Sequence, residues 1–270
     1  MASTPLASVI GFLESFAPLK LAEEWDNVGL LLGDRSQKTD TIMTCLTVTP
    51  GVVGEAIEQG AGLIVSHHPL PFKPLKKITA DSSTGRMVLE LCKNGIALFS
   101  PHTAFDSTAD GINQSLADRI GLGDVLPIRE IDSFPTTGDG PVYGVGRFGS
   151  LESRSCRELC RELKGLFNLP LVKFCGDLDS QVSRIAIACG SAGQFLPDAA
   201  RAGCDGLITG ETNYHTCLEA LAAGVSLFLL GHYGSERFAV EMLAQRLQQE
   251  FPGLSIRASQ QDRDPLQYVG

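Results

Sequence analysis

The 270 residues carry a formal net charge of −9, with 43% apolar and 20% charged side chains, which fits an ordinary globular protein of one large domain or two small ones. The acidic balance argues against a nucleic-acid backbone as partner, since that needs a basic patch, and no apolar run approaches a membrane span. Eight scattered cysteines without a Cys-x-x-Cys give no disulfide framework and point to a reducing, cytoplasmic setting.

In chain order, apolar spacing at Leu6, Val9, Ile10, Leu13 and Phe16 predicts an amphipathic helix over residues 5–19. Glu24-Trp25-Asp26-Asn27-Val28-Gly29 then reads as a turn feeding a short apolar strand, with Trp25, the only tryptophan, as a packing anchor. A β-branched run over 41–49 precedes Pro50 and a helix through Val52, Val53, Ala56 and Ile57, closed by Gly60. Leu63-Ile64-Val65-Ser66 reads as a buried strand of a parallel sheet, stopping at His67-His68-Pro69. A helix over 85–93 leads to another strand before His102, and a further helix opens at Asp110-Gly111-Ile112-Asn113. Residues 121–140, rich in Gly, Pro, Asp and Thr, mark a domain change, with 134–141 the clearest loop. Residues 143–148 alternate like a strand, and 153–167 have helical spacing with Ser153 placed to cap it.

The first half then recurs. Residues 203–210, Gly-Cys-Asp-Gly-Leu-Ile-Thr-Gly, match 60–67 in order and character, and 224–228 match 95–99. His102 is followed four residues on by Asp106, and His232 four residues on by Glu236. This predicts an α/β fold of two similar α/β domains related by an internal repeat. We place the first unit at 1–125, with 237–270 packing onto it, and the second at 126–236.

Four of the five histidines follow apolar strand-like runs, where open α/β sheets place their ligands. His67, His68, Asp106, His232 and Glu236 offer imidazole and carboxylate donors that suit Zn, Mn, Fe, Co or Ni. Carboxylates could bridge two ions ~4 Å apart, as in two-metal hydrolases. His102 and His215 remain to move protons or hold substrate. Plainer readings stand beside these: Asp106 capping a turn, Glu236 as a surface residue of a helix, and His215 as a loop residue. No Walker-type loop, Gly-x-Gly-x-x-Gly or Gly-x-Ser-x-Gly is present.

The motifs Glu24-Trp25-Asp26-Asn27-Val28-Gly29, Ser66-His67-His68-Pro69, His102-Thr103-Ala104-Phe105-Asp106 with Gly111-Ile112-Asn113, Thr209-Gly210-Glu211 with His215, and Gly231-His232-Tyr233-Gly234-Ser235-Glu236 resemble, in family order, the NIF-three-like family of dinuclear-metal proteins, also known as the GTP cyclohydrolase 1 type 2 family. The resemblance implies a cleft between the two domains that holds two divalent ions per chain on His67, His68, Asp106, His232 and Glu236, with Glu236 a bridge. It also implies a ring-shaped homohexamer. Beside these ligands we assign catalytic roles to His102 and His215 and substrate contacts to Glu211 and Tyr214. Glu211 stands where many relatives carry aspartate, and Ala104-Phe105 where an Asn-Leu pair is common. The activity implied is a metal-dependent hydrolysis that opens the guanine imidazole ring of GTP. The alternatives are a broader metal-dependent phosphohydrolase and a non-enzymatic metal-binding or regulatory protein.

Overall fold

The computed structural model describes residues 3–134 and 140–269. Most of the stretch read as the clearest loop, 135–139, lies outside the described residues. The fold is mixed α/β, and the chain forms two compact units, Met1–Phe105 with Ala239–Pro265, and Asp106–Phe238 with Leu266–Gly270.

The first unit is built on a five-stranded sheet. Its three central strands, Thr41–Cys45, Leu63–Ser66 and Ala97–Ser100, run parallel. Gly29–Leu32 pairs antiparallel on one edge and Ser255–Ala258 parallel on the other. The two continuous four-residue runs are buried at every position, as strands covered on both faces must be. The crossovers are helices Pro50–Glu58 and Ser83–Lys93, whose caps Thr49 and Ser82 accept hydrogen bonds from the N–H groups of Val52 and Gly85. The C-terminal strand is held by a buried carboxylate. Glu55 accepts from the Ser259 hydroxyl and from the N–H groups of Gln260 and Gln261, while Asp262 accepts from the N–H of Leu46 at 2.6 Å.

The second unit repeats the alternation in a six-stranded sheet. Gln181–Ser191, Gly206–Glu211 and Ser226–Leu229 run parallel at its centre. Lys173–Cys175 pairs antiparallel beside the last of these, as Gly29–Leu32 does in the first unit. Arg147–Ser155 and Gly123–Leu126 complete the other edge, both antiparallel. The order strand, helix, strand, helix, strand, short helix is common to both units, and the closing short helices begin at His102 and His232.

Some local readings change. Residues 121–140 contain the strand Gly123–Leu126, and 143–146 lie outside the strand that starts at Arg147. The helix expected from Ser153 begins at Cys156, because Arg154 and Ser155 still pair with Val182 and Gln181. Its cap is Ser155, in a capping box with Glu158. Helix Ile112–Ile120 packs on strands Gln181–Ser191 and Arg147–Ser155, so residues 106–125, drawn with the first unit from sequence, lie with the second. Trp25, expected as a packing anchor, is 63% exposed.

The second unit also encloses a charged side chain in its interior. Arg147 is fully buried and spends all five donors on neutral acceptors: Gln114 Oε1 and the carbonyls of Gly144, Gly146, Thr108 and Val142, at 2.7–2.9 Å. Burial pushes its pKa down to about 10, with Asp118 and Cys189 opposing the shift. It fastens the segment after Asp106 to the start of the Arg147–Ser155 strand.

Candidate functional site

In the first unit, the strand Leu63–Ser66 ends but its backbone pairing does not. The N–H groups of His67 and His68 continue onto the carbonyls of Cys45 and Leu46 at 2.9 and 2.8 Å. Ser100 Oγ donates to the His67 carbonyl and Ser66 Oγ to that of His68. The two histidines therefore leave the fixed end of a central strand rather than a loose loop. Thr47 Oγ1 is hydrogen-bonded to His68 Nδ1 at 2.7 Å, fixing that ring.

His102 joins them from the next strand. Its backbone φ is +31°, an uncommon value for a side chain with a Cβ, and such strain collects at functional sites. Its Nδ1 lies 2.7 Å from Asp26 Oδ1, a carboxylate whose side chain is fully buried. Asp26 also accepts from the N–H and hydroxyl of Thr103. Burial works against the Asp26 charge, but the hydrogen bonds from His102 and Thr103 outweigh it and hold its pKa below the ordinary carboxylate value. A carboxylate there requires the proton on His102 Nδ1, which turns Nε2 outward as an acceptor. His67, His68 and His102 each offer a ring nitrogen within 4.8 Å of the other two. Three imidazoles so placed, one backed by a carboxylate, have the donor chemistry and the backing of a divalent-metal site.

In the second unit, His232 and Glu236 share one face of the helix His232–Glu236, and Nε2 lies 3.1 Å from Oε2. Glu236 is only 3% exposed. On the other side of the ring, Nδ1 meets Glu211 Oε1 at 2.9 Å. Glu236 raises the His232 pKa most, burial opposes it, Glu211 adds to it, and the result is about 9. Cation binding at this ring would displace that proton.

The walls around this pair are made of groups that carry no motif. Gly190 has φ +67°, and a Cβ there would fall on the Glu236 carboxylate. A Cβ on Gly210 would stand 2.7 Å from Ser235 Oγ and 3.0 Å from His232 Cα. Ser235 Oγ accepts from the Gly190 N–H at 3.0 Å and donates to the His232 carbonyl at 2.9 Å. Two glycines thus let strand ends approach the helix closely enough to seat a buried carboxylate against an imidazole.

Asp106 lies in the same unit, within a small ring of hydrogen bonds. Cys189 Sγ donates to Asp106 Oδ1 at 3.2 Å, the Cys189 N–H donates to Asn113 Oδ1 at 2.9 Å, and Asn113 Nδ2 returns to the Asp106 carbonyl at 3.1 Å. Cys189 and Asn113 were invisible as site residues from sequence, although Asn113 lay inside a quoted motif.

The structure thus groups His67, His68 and His102 in one unit, and Glu211, His232 and Glu236 in the other, where Asp106 is also held through Cys189 and Asn113. Glu211, expected to touch substrate, holds the His232 ring. Tyr214 and His215 open the helix Tyr214–Ala223, both exposed, their rings 5.9 Å apart.

Comparison with known proteins identifies the family and the fold. The sequence profile of Duf34/NIF3 (NGG1p interacting factor 3) matches residues 4–265. A Clostridium acetobutylicum protein named GTP cyclohydrolase 1 type 2 homolog is 33% identical, over 98% of this chain and 99% of its own. A Schizosaccharomyces pombe protein NIF3 homolog is 35% identical over 94% of each. Among solved structures, a Staphylococcus aureus protein superposes with a TM-score of 0.87 at 28% identity, covering 98% of this chain and 99% of that one. A Bacillus cereus protein related to NIF3 gives 0.88 at 23%, with the same coverage, a likeness of fold. The chain belongs to the Duf34/NIF3 family.

Proposed function

We propose that this protein is a divalent-metal-dependent hydrolase that acts on a nucleotide, with His67, His68, Asp106, His232 and Glu236 holding two ions per chain. The observation that carries this reading is the buried Glu236 carboxylate against His232, on an imidazole braced by Glu211. A carboxylate with 3% exposure has lost most of its hydration, and a cation is the partner that repays it best. The donors are nitrogen and oxygen, the chemistry of Zn, Mn, Fe, Co or Ni. Relatives named GTP cyclohydrolase 1 type 2 homolog support the substrate class.

Bound divalent ions supply Lewis acidity and a water that loses its proton near neutral pH. The chain's own groups do the rest. His102, its Nδ1 proton held by Asp26, presents Nε2 either as a ligand or as the acceptor of a proton from the reacting water. Glu211 keeps the His232 ring from turning. Tyr214 and His215, at the exposed start of their helix, contact substrate. Copies of the chain assemble as a homo-oligomer, a hexamer by family resemblance, in the cytoplasm.

The test is elemental analysis of protein purified without chelator, followed by a turnover screen of nucleotides and phosphoesters on the metal-loaded protein. About two ions per chain, and turnover lost with chelator and restored by one preferred metal, would support the reading. Metal content near zero after loading would end it.

A further inference from the structure

Two exposed aromatic side chains stand beside the histidine cluster of the first unit. Trp25 is 63% exposed and Phe72 53%, their centroids 6.0 Å apart at an interplanar angle of 49°. Both meet the His102 ring edge-on, at 6.0 and 6.1 Å. Single exposed apolar residues need no explanation, but a contiguous aromatic pair does.

The pair is also held in place. Asp26, the next residue after Trp25, is locked to His102 and Thr103. Asn27 Nδ2 donates to the carbonyl of Pro71, the residue before Phe72, at 2.9 Å. The two loops are therefore stitched together on either side of the rings. Packing of the rings themselves does not account for this, because more than half of each remains in water. Rigid, exposed rings at a site are what a stacking ligand requires, since little ordering is left to be done on binding.

Charge supplies the second argument. In a chain of net charge −9, residues 69–80 contain Lys73, Lys76 and Lys77 and no acid. All three lysines are exposed, and among the described residues none forms an ion pair. Exposed aromatic faces, one of them in the same short segment as three exposed cations, suit a ligand that is flat at one end and anionic at the other.

We infer that Trp25 and Phe72, with Lys73, Lys76 and Lys77, form a subsite for a phosphorylated planar heterocycle, whose ring stacks on the aromatic pair beside His102. This rests on the nucleotide-hydrolase reading for its occupant and assigns that occupant a place.

Trp25 is the only tryptophan, so its emission reports on this place alone. The zinc-loaded full chain is titrated with the four ribonucleoside triphosphates, the free nucleosides and inorganic tripolyphosphate. Saturable quenching by the triphosphates, weaker quenching by nucleosides, and competition without quenching by tripolyphosphate are expected. Phe72→Leu should raise Kd about tenfold, the scale of one base–aromatic stack. Replacing the three lysines with alanine should weaken binding and flatten its salt dependence. Calorimetric zinc titration of the parent and of each variant separates the two claims. Intact zinc uptake with no nucleotide response overturns the subsite and leaves the metal reading standing. Nucleotide quenching without zinc uptake supports the subsite and removes the metal. Emission that follows protein concentration and ignores nucleotide makes the face a contact between copies, and overturns the inference.

Discussion

The Cys189 thiol directs its hydrogen at the Asp106 carboxylate, Sγ to Oδ1, across 3.2 Å. Burial above all, and then the charges of Asp106 and Glu236, hold its pKa well above the ordinary thiol value of 9, so it is a donor and not a thiolate. A neutral donor on one oxygen fixes the plane in which the carboxylate can reach a cation. Cys189→Ser keeps a donor and should bind zinc within a few-fold of the parent. Cys189→Val removes it and should weaken binding ~10–100-fold, as loss of a hydrogen bond behind a ligand does. Calorimetric titration reads both, and equal losses in the two variants would make the sulfur itself a ligand.

Gly190 tests the close approach in the second unit. Its φ of +67° costs a residue with a Cβ about 1–3 kcal/mol, and the new atom would fall on the Glu236 carboxylate. Gly190→Ala should therefore lower stability by about that amount in denaturant unfolding and also lower metal uptake. Gly203→Ala, where φ is +71° and a Cβ meets nothing, should lower stability alone.

Whether donors of both units serve one centre is decided by a pair of variants. His68→Ala and Glu236→Gln should each lower metal occupancy while the far-ultraviolet spectrum stays that of the parent. Their double mutant should lose less than the sum. Strict additivity in metal titration would mean two separate sites.

Arg147→Met should destabilise the protein by about 3–5 kcal/mol, because four backbone carbonyls and Gln114 Oε1 lose their donors in a dry interior. Arg147→Lys, with three donors on a different geometry, should recover only part of this. Urea unfolding measures both.

Glu55 gives a pH dependence of known sign. Burial opposes its ionisation, but bonds from Ser259, Gln260 and Gln261 outweigh it and lower its pKa. A carboxylate with a depressed folded pKa adds stability that is fully present above the ordinary value of 4.5 and is lost as pH falls through the folded value. The acid limb of stability should therefore be shallower in Glu55→Gln than in the parent, although Glu55→Gln is the less stable at neutral pH.

The sequence was most readable where chemistry follows directly from spacing. Two histidines after a buried strand, and a histidine four residues before a carboxylate, need only the strand end and the helical repeat to be placed. Gly190, Gly210, Cys189 and Asn113 could not be seen this way, because their roles exist only once separate strands lie side by side. Trp25 was misread because local pattern carries no information on exposure, and a lone tryptophan is most often in a core. Ser153 lost the cap to Ser155 because strand pairing with residues some 30 positions away extended the strand past it.

The parallel pairing of Ser255–Ala258 with Thr41–Cys45 has a consequence for synthesis. The first unit leaves the ribosome without its edge strand, and waits for more than a hundred residues while the second unit emerges, complete but for Leu266–Gly270. During that interval the Thr41–Cys45 strand is an open template for other chains. Growing chains stalled short of Ser255 should thus be the species that chaperones hold, and the first unit should close only once Ser259 to Asp262, which tie the strand to Glu55 and Leu46, have also emerged.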